Sequence, residues 1–321
     1  MNTRTSLTAG IVVSALFLVA PMTEAKPRSG GEGGDHRRKG LGFVEAKQFD
    51  KAVEEFTKEV QASPGDPEAY HDRGTAYRGA GRAAEAAADG PAMAERYNAA
   101  IADFSKMIEL SPKGATGYVE RAQTEDLARQ YDAALNDANK ALELKPEDTN
   151  AIKFRGFAYI GLSQWDKAIA DFNVTIQNQA DDLQSYDRRA WANRNLKNFP
   201  AAVEDYTTIL QKDANNEDAY VKRGATYAAM GEFEKAIADY QAALKIKPDD
   251  YDTVQRMKYA QSQLAAKNAP PPTPTPVPGV TIFTPMRIVV GIMVLVIIAA
   301  GIRLMTRGKP EEPPGTSTRI R

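Results

Sequence analysis

Residues 220–248 read YVKRGATYAAMGEFEKAIADYQAALKIKP, and the placing of small, aromatic and charged residues in this stretch decides the fold. Gly224 and Ala236 leave room where two helices close on each other, Phe233 and Tyr240 fill the space beside them, and Pro248 ends the unit. Proline lacks the N–H and disfavours helix in the residue before it, so a helix has to stop there. Moving outward in steps of thirty-four residues, the same arrangement returns along about two thirds of the chain.

Gly40, Gly74, Ala122, Gly156, Ala190 and Gly224 share one column; Ala52, Ala100, Ala134, Ala168, Ala202 and Ala236 share another. Three residues before that alanine the chain is always aromatic (Phe49, Tyr97, Tyr131, Trp165, Phe199, Phe233). Four residues after it, it is nearly so (Phe56, Phe104, Ala138, Phe172, Tyr206, Tyr240). Pro64, Pro112, Pro146 and Pro248 close four copies, with Ala180 and Ala214 in the other two. The second copy carries fourteen extra residues. Because the aromatic column resumes at Tyr97, the insertion falls at residues 83–96, between that copy's two helices, where a surface loop is expected; a partner-binding finger is the alternative.

These columns resemble the tetratricopeptide repeat, a helix-turn-helix unit of the same period with small residues at its packing points. The resemblance implies an all-α, right-handed solenoid of about six units, at 35–66, 67–114, 115–148, 149–182, 183–216 and 217–250. No unit is large enough to bury its own apolar face, so neighbours stack and the core runs as a line through the array. Residues 251–267 carry apolar Val254, Met257 and Leu264 among polar Gln255, Lys258, Gln261 and Gln263, the pattern of a capping helix.

A basic residue precedes each small first-helix position: Lys39, Arg73, Arg121, Arg155, Arg189 and Arg223. An acid follows sixteen residues later, or thirty in the copy with the insertion: Glu55, Asp103, Asp137, Asp171, Asp205 and Asp239. The strict pairing of signs predicts a ladder of ion pairs inside the array instead of a charged binding surface.

The ends of the chain suggest a location. Residues 1–25 read as a secretory signal, with Arg4, an apolar run over 9–20 and a small-x-small site at Thr23-Glu24-Ala25. Residues 26–34 read as a disordered linker. Residues 268–281 contain six prolines and read as an extended stalk. Residues 282–305 enclose an unbroken apolar run between Arg287 and Arg303, which predicts one transmembrane helix. The tail at 306–321 carries Arg307, Lys309, Arg319 and Arg321, so the positive-inside rule places it in the cytoplasm and the repeats outside, as in a bacterial periplasm. With no cysteine in the chain, disulfides and thiol chemistry are excluded.

Catalysis finds no motif. The two histidines, His36 and His71, have no second ligand at a metal-binding interval, the glycines at 30–34 follow no strand, and no cofactor is expected. A net charge of −1 gives no footprint for nucleic acid. The expected partner is a protein or peptide. In the family resembled, first helices line the concave surface, and the residues this implies are Lys153, Phe157, Arg188, Trp191, Arg194 and Asn195. Trp191 beside two arginines fits a peptide bearing a carboxylate; alternatively, Trp191 and Phe157 pack between neighbouring first helices. The Lys and Asn four residues apart with which some family members grip chaperone tails are not matched, since Phe157 stands four after Lys153. Two roles remain open on this reading: an extracytoplasmic adaptor for envelope assembly, or a non-catalytic subunit of an envelope enzyme or export system.

Overall fold

The computed structural model describes residues 32–269 and 293–300. Residues 32–269 contain thirteen helices and no strand. The first twelve form six antiparallel pairs. The first helices of the pairs are α1 (Glu32–Glu45), α3 (Pro67–Ala86), α5 (Ala115–Leu127), α7 (Thr149–Gly161), α9 (Leu183–Asn195) and α11 (Glu217–Ala229). The second helices are α2 (Phe49–Ala62), α4 (Gly90–Leu110), α6 (Tyr131–Leu144), α8 (Trp165–Asn178), α10 (Phe199–Lys212) and α12 (Phe233–Ile246). α13 (Tyr251–Asn268) begins thirty-four residues after α11 and so stands where a seventh first helix would.

Local chemistry explains these boundaries. Asp66, Asp148, Asp182 and Asn216 sit at helix N-caps and accept from the free backbone N–H groups of α3, α7, α9 and α11. The turn inside each pair turns on one residue in the left-handed region: Lys47, Ala88, Arg129, Ser163, Lys197 and Gly231, at φ between 56° and 75°. Only Gly231 adopts it without a Cβ penalty. In the packed interior, a Cβ added at Gly156 would lie 2.9 Å from the Phe172 ring, which is fully buried. Where the large member of that couple is missing, at Ala138, the small member has become Ala122, and both are fully buried.

The expected loop at 83–96 is not a loop. α3 has 20 residues where α5, α7, α9 and α11 have 13, and α4 has 21 where the other second helices have 14. The fourteen extra residues are thus split seven and seven, nearly two turns on each helix, which leaves every apolar face in register. The segment is rich in alanine, a strong helix former, and the turn shrinks to residues 87–89, with Asp89 capping α4. Gly81, at the column position of Gly231, lies inside α3 against Tyr97.

α1 starts at Glu32, so the linker expected at 26–34 is shorter by its last three residues. The signal sequence at 1–25, the stalk from 270 onward, most of the expected membrane helix at 282–305 and the tail at 306–321 lie outside the described residues. Residues 268–321 form a second compact unit. Within it, residues 293–300 are helical, and Met293, Val294, Leu295, Val296, Ile297 and Ile298 are all exposed. Among the described residues no helix is long and apolar enough to cross a membrane.

Candidate binding groove

Five rungs of the charge ladder form. Arg73, Arg121, Arg155, Arg189 and Arg223 each give two parallel hydrogen bonds, Nε and Nη2, to the carboxylate of Asp103, Asp137, Asp171, Asp205 and Asp239. Arg121, Arg189 and Arg223 spend a further N–H on the preceding pair, reaching Ser105, Asn173 and Thr207 sixteen residues upstream. These arginines therefore tie unit to unit as well as helix to helix. The first rung is different: Lys39 is exposed, and Glu55 takes His36 at 2.7 Å and Lys58 at 2.5 Å. A lysine presents a point charge and lacks the planar fork that fits the carboxylate.

A second set of contacts joins each first helix to the next. The residue two before the ladder position meets, in the following copy, the residue one before it. Arg37 bonds Asp72 at 2.6 Å, His71 lies 3.9 Å from Glu120, Val119 and Phe154 share one apolar cluster, and Asp187 bonds Lys222 at 2.7 Å. Each of these couples is complementary in charge or jointly apolar. Burial lowers the basicity of His71, but hydrogen bonds to Asp72 and Glu120 and their charges outweigh it, and the imidazole is raised to about 9. Burial likewise opposes ionisation of Glu120, yet Arg78, at 2.5 Å, and His71 bring its carboxyl down to about 2.

Between α7 and α9 the couple is Lys153 with Arg188, two cations. Both lie over the Phe157 ring, Lys153 Nζ at 6.0 Å and Arg188 Cζ at 5.5 Å from its centroid. Phe157 itself is buried against Phe154 and Phe172, so it serves as a platform and not as an open contact. Asp182 holds Lys153 at 2.9 Å. Arg188 is exposed, and its charge reaches Asp126 of α5, whose carboxyl burial pushes up to about 6 against the pull of that arginine. One turn on, Trp191 is 42% exposed, and Asn195 donates its side-chain amide to the Trp191 carbonyl. Of the six residues implied by the sequence, Lys153, Phe157 and Arg188 thus form one cluster, Trp191 and Asn195 stand beside it, and Arg194 belongs elsewhere.

Arg194 turns toward α11 and α13, where it lines a cavity of about 520 Å³ with Ala225, Ala228, Ala229, Tyr240, Gln255, Arg256 and Tyr259. Sequence reading missed this cavity, although the signal is present: the column of Phe157 and Trp191 continues as Ala225 and then Tyr259, so a gap falls between two large aromatics. Among the described residues no cluster of three or more acids or histidines is placed to hold a metal ion.

The tetratricopeptide repeat family model matches residues 217–250. Among solved structures, the chain is similar to one from the APC/C hetero-tetramer Cut9-Hcn1, with a TM-score of 0.59 at 15% identity, over 71% of this chain and 42% of that one. The protein therefore spans less than half the length of that relative, and at such identity the likeness establishes the helical-repeat fold alone. Others are YrrB, described as a TPR protein with an unusual peptide-binding site (TM-score 0.48, 20% identity, 63% of this chain and 97% of that one), and MamA from Desulfovibrio magneticus RS-1 (TM-score 0.47, 17% identity, 59% and 99%). No curated protein matches the chain.

Proposed function

We propose that this chain is a membrane-tethered repeat scaffold that recruits a peptide or protein segment along its row of first helices. The observation that carries the reading is the break in the complementary couples at Lys153 and Arg188. From α1 to α11 the other couples are complementary in charge or jointly apolar, whereas here two cations share one aromatic platform beside an exposed tryptophan, and Asp182 serves Lys153 while Arg188 stays exposed. An acidic segment supplies a complement for Arg188, and a partly exposed indole next to arginine is a common anchor at protein interfaces.

The tether is assigned to residues 282–305. Its support is the uninterrupted apolar sequence and the exposure of Met293 through Ile298 along one helical stretch, a surface that water does not favour. The signal-like residues 1–25 and the basic tail give the array an extracytoplasmic side, and recruitment near a bilayer suits assembly of an envelope complex.

Two experiments test the proposal. Arg188→Glu and Trp191→Ala in the full chain should each remove co-purifying partner without shifting the thermal midpoint, and unchanged partner recovery would sink the groove. Protease added outside intact cells made permeable only at the outer envelope should digest the repeats and spare the tail; protection of the repeats would overturn the orientation.

A further inference from the structure

We infer that the cavity between α9, α11 and α13 is a subsite for one acidic residue of a bound peptide, its side-chain carboxylate held between Arg194 and Arg256 and its backbone lying against Tyr259.

The cavity arises from three small residues on one helix. Ala225, Ala228 and Ala229 leave open on α11 the space that Trp191 and Arg194 fill on α9 and that Tyr259 fills on α13. At about 520 Å³ it has the size of a small-ligand site and takes an amino-acid side chain with its flanking backbone.

Its charge is one-sided. Arg194 and Arg256 enter the lining, and no aspartate or glutamate does. The Nε of Arg194 is buried with no hydrogen-bond acceptor of good geometry, and the Tyr206 hydroxyl beside the guanidinium is neutral and carries no charge to balance it. Arg256 stands in the column of Asp72, Glu120 and Lys222, and the residue opposite in the preceding copy is Val221, so the pattern that couples first helices gives this arginine no acid. Both guanidiniums line the cavity together with Tyr240, and the charge of each reaches its hydroxyl. Two arginines lining a space walled by alanine and tyrosine match a carboxylate, which can accept from both and form charge-assisted bonds strengthened by the apolar surroundings.

The inference rests on the groove reading, because α13 takes the place of a seventh first helix and Tyr259 continues the column of Phe157 and Trp191. A segment that crosses Arg188 and Trp191 next meets the gap at Ala225.

The test uses the full chain and two fluorescein-labelled peptides with amidated ends, Gly-Ser-Tyr-Glu-Tyr-Ser-Gly and its Gln counterpart, followed by fluorescence anisotropy. The glutamate peptide should bind at least tenfold more tightly than the glutamine peptide. Arg256→Gln, at an exposed position on α13, should erase that ratio while the protein stays folded, and Arg194→Gln should do the same. Equal affinity for the two peptides, a ratio that survives both substitutions, or no binding of either peptide up to about 1 mM would each overturn the subsite. Arg188→Glu separates the two readings: it weakens both peptides alike if the groove is used and leaves the glutamate-to-glutamine ratio to report on the cavity.

Discussion

Arg155 on α7 and Asp171 on α8 meet through two parallel hydrogen bonds, Nε to Oδ2 at 2.8 Å and Nη2 to Oδ1 at 2.7 Å. The aspartate side chain is only 8% exposed and the arginine 28%. This is the geometry repeated at four other rungs, and it is less accessible than an ordinary surface pair. Removing one partner strands a partly buried charge, which costs more than the bond itself contributes.

Asp171→Asn should therefore lower the unfolding free energy by about 1–3 kcal/mol, measured by urea denaturation. Exchanging the pair, Arg155→Asp with Asp171→Arg, should recover more than half of the loss suffered by either charge-reversed single variant. A double variant no more stable than its single parents would show that the rung is not a pairwise contact.

The elongated hairpin of α3 and α4 gives a second prediction. Deleting residues 83–96 joins Gly81-Arg82 to Tyr97, the counterpart of Gly231-Glu232-Phe233, and places Gly81 where the left-handed turn residue belongs. The array should fold with its stability changed by less than about 2 kcal/mol, because only the exposed hairpin tip is lost. Deleting residues 83–89 alone removes the last four residues of α3 with the whole turn and leaves the extra length of α4 unmatched. That variant should lose protection against proteolysis around Tyr97, and equal behaviour of the two deletions would contradict the seven-and-seven account.

The first helices also carry a pH dependence. His71 is raised from 6.5 to about 9 in the folded chain, burial being outweighed by Asp72 and Glu120. A raised basic group stabilises fully below its unfolded value, so this contribution is present below about pH 6.5 and disappears as the pH climbs through about 9. Glu125 adds to the fall, since burial first and Asp137 second raise its carboxyl and disfavour the charged form. Thermal midpoints of the wild type and His71→Gln should thus differ most near pH 6 and converge near pH 10, the acid-end gap corresponding to about 3 kcal/mol of stability. A gap independent of pH would contradict the assignment to the imidazole.

Much of this was legible from the sequence, and the parts that were not have physical causes. Gly156, Ala168 and Phe172 disclosed the packing because a helix pair demands small against large at fixed spacing. Arg155 and Asp171 disclosed the ladder because the same two residue types recur. The insertion misled because Gly81 keeps its column position while the alanines after it continue the helix. The couples between successive first helices were hidden, since Arg37 with Asp72, Val119 with Phe154 and Asp187 with Lys222 share a geometry and no residue type. The cavity at Ala225 was hidden for a related reason: it is made by what one helix lacks, and only its neighbours Arg194 and Tyr259 give the gap a chemistry.

The central claim is that the row of first helices is the recruiting surface, and site-specific photocrosslinking in intact cells tests it most directly. A photoreactive residue at Trp191 should capture a discrete partner, while one at Lys140, exposed on the second helix α6, should not. Capture at both positions alike, or none at 191, would contradict the account.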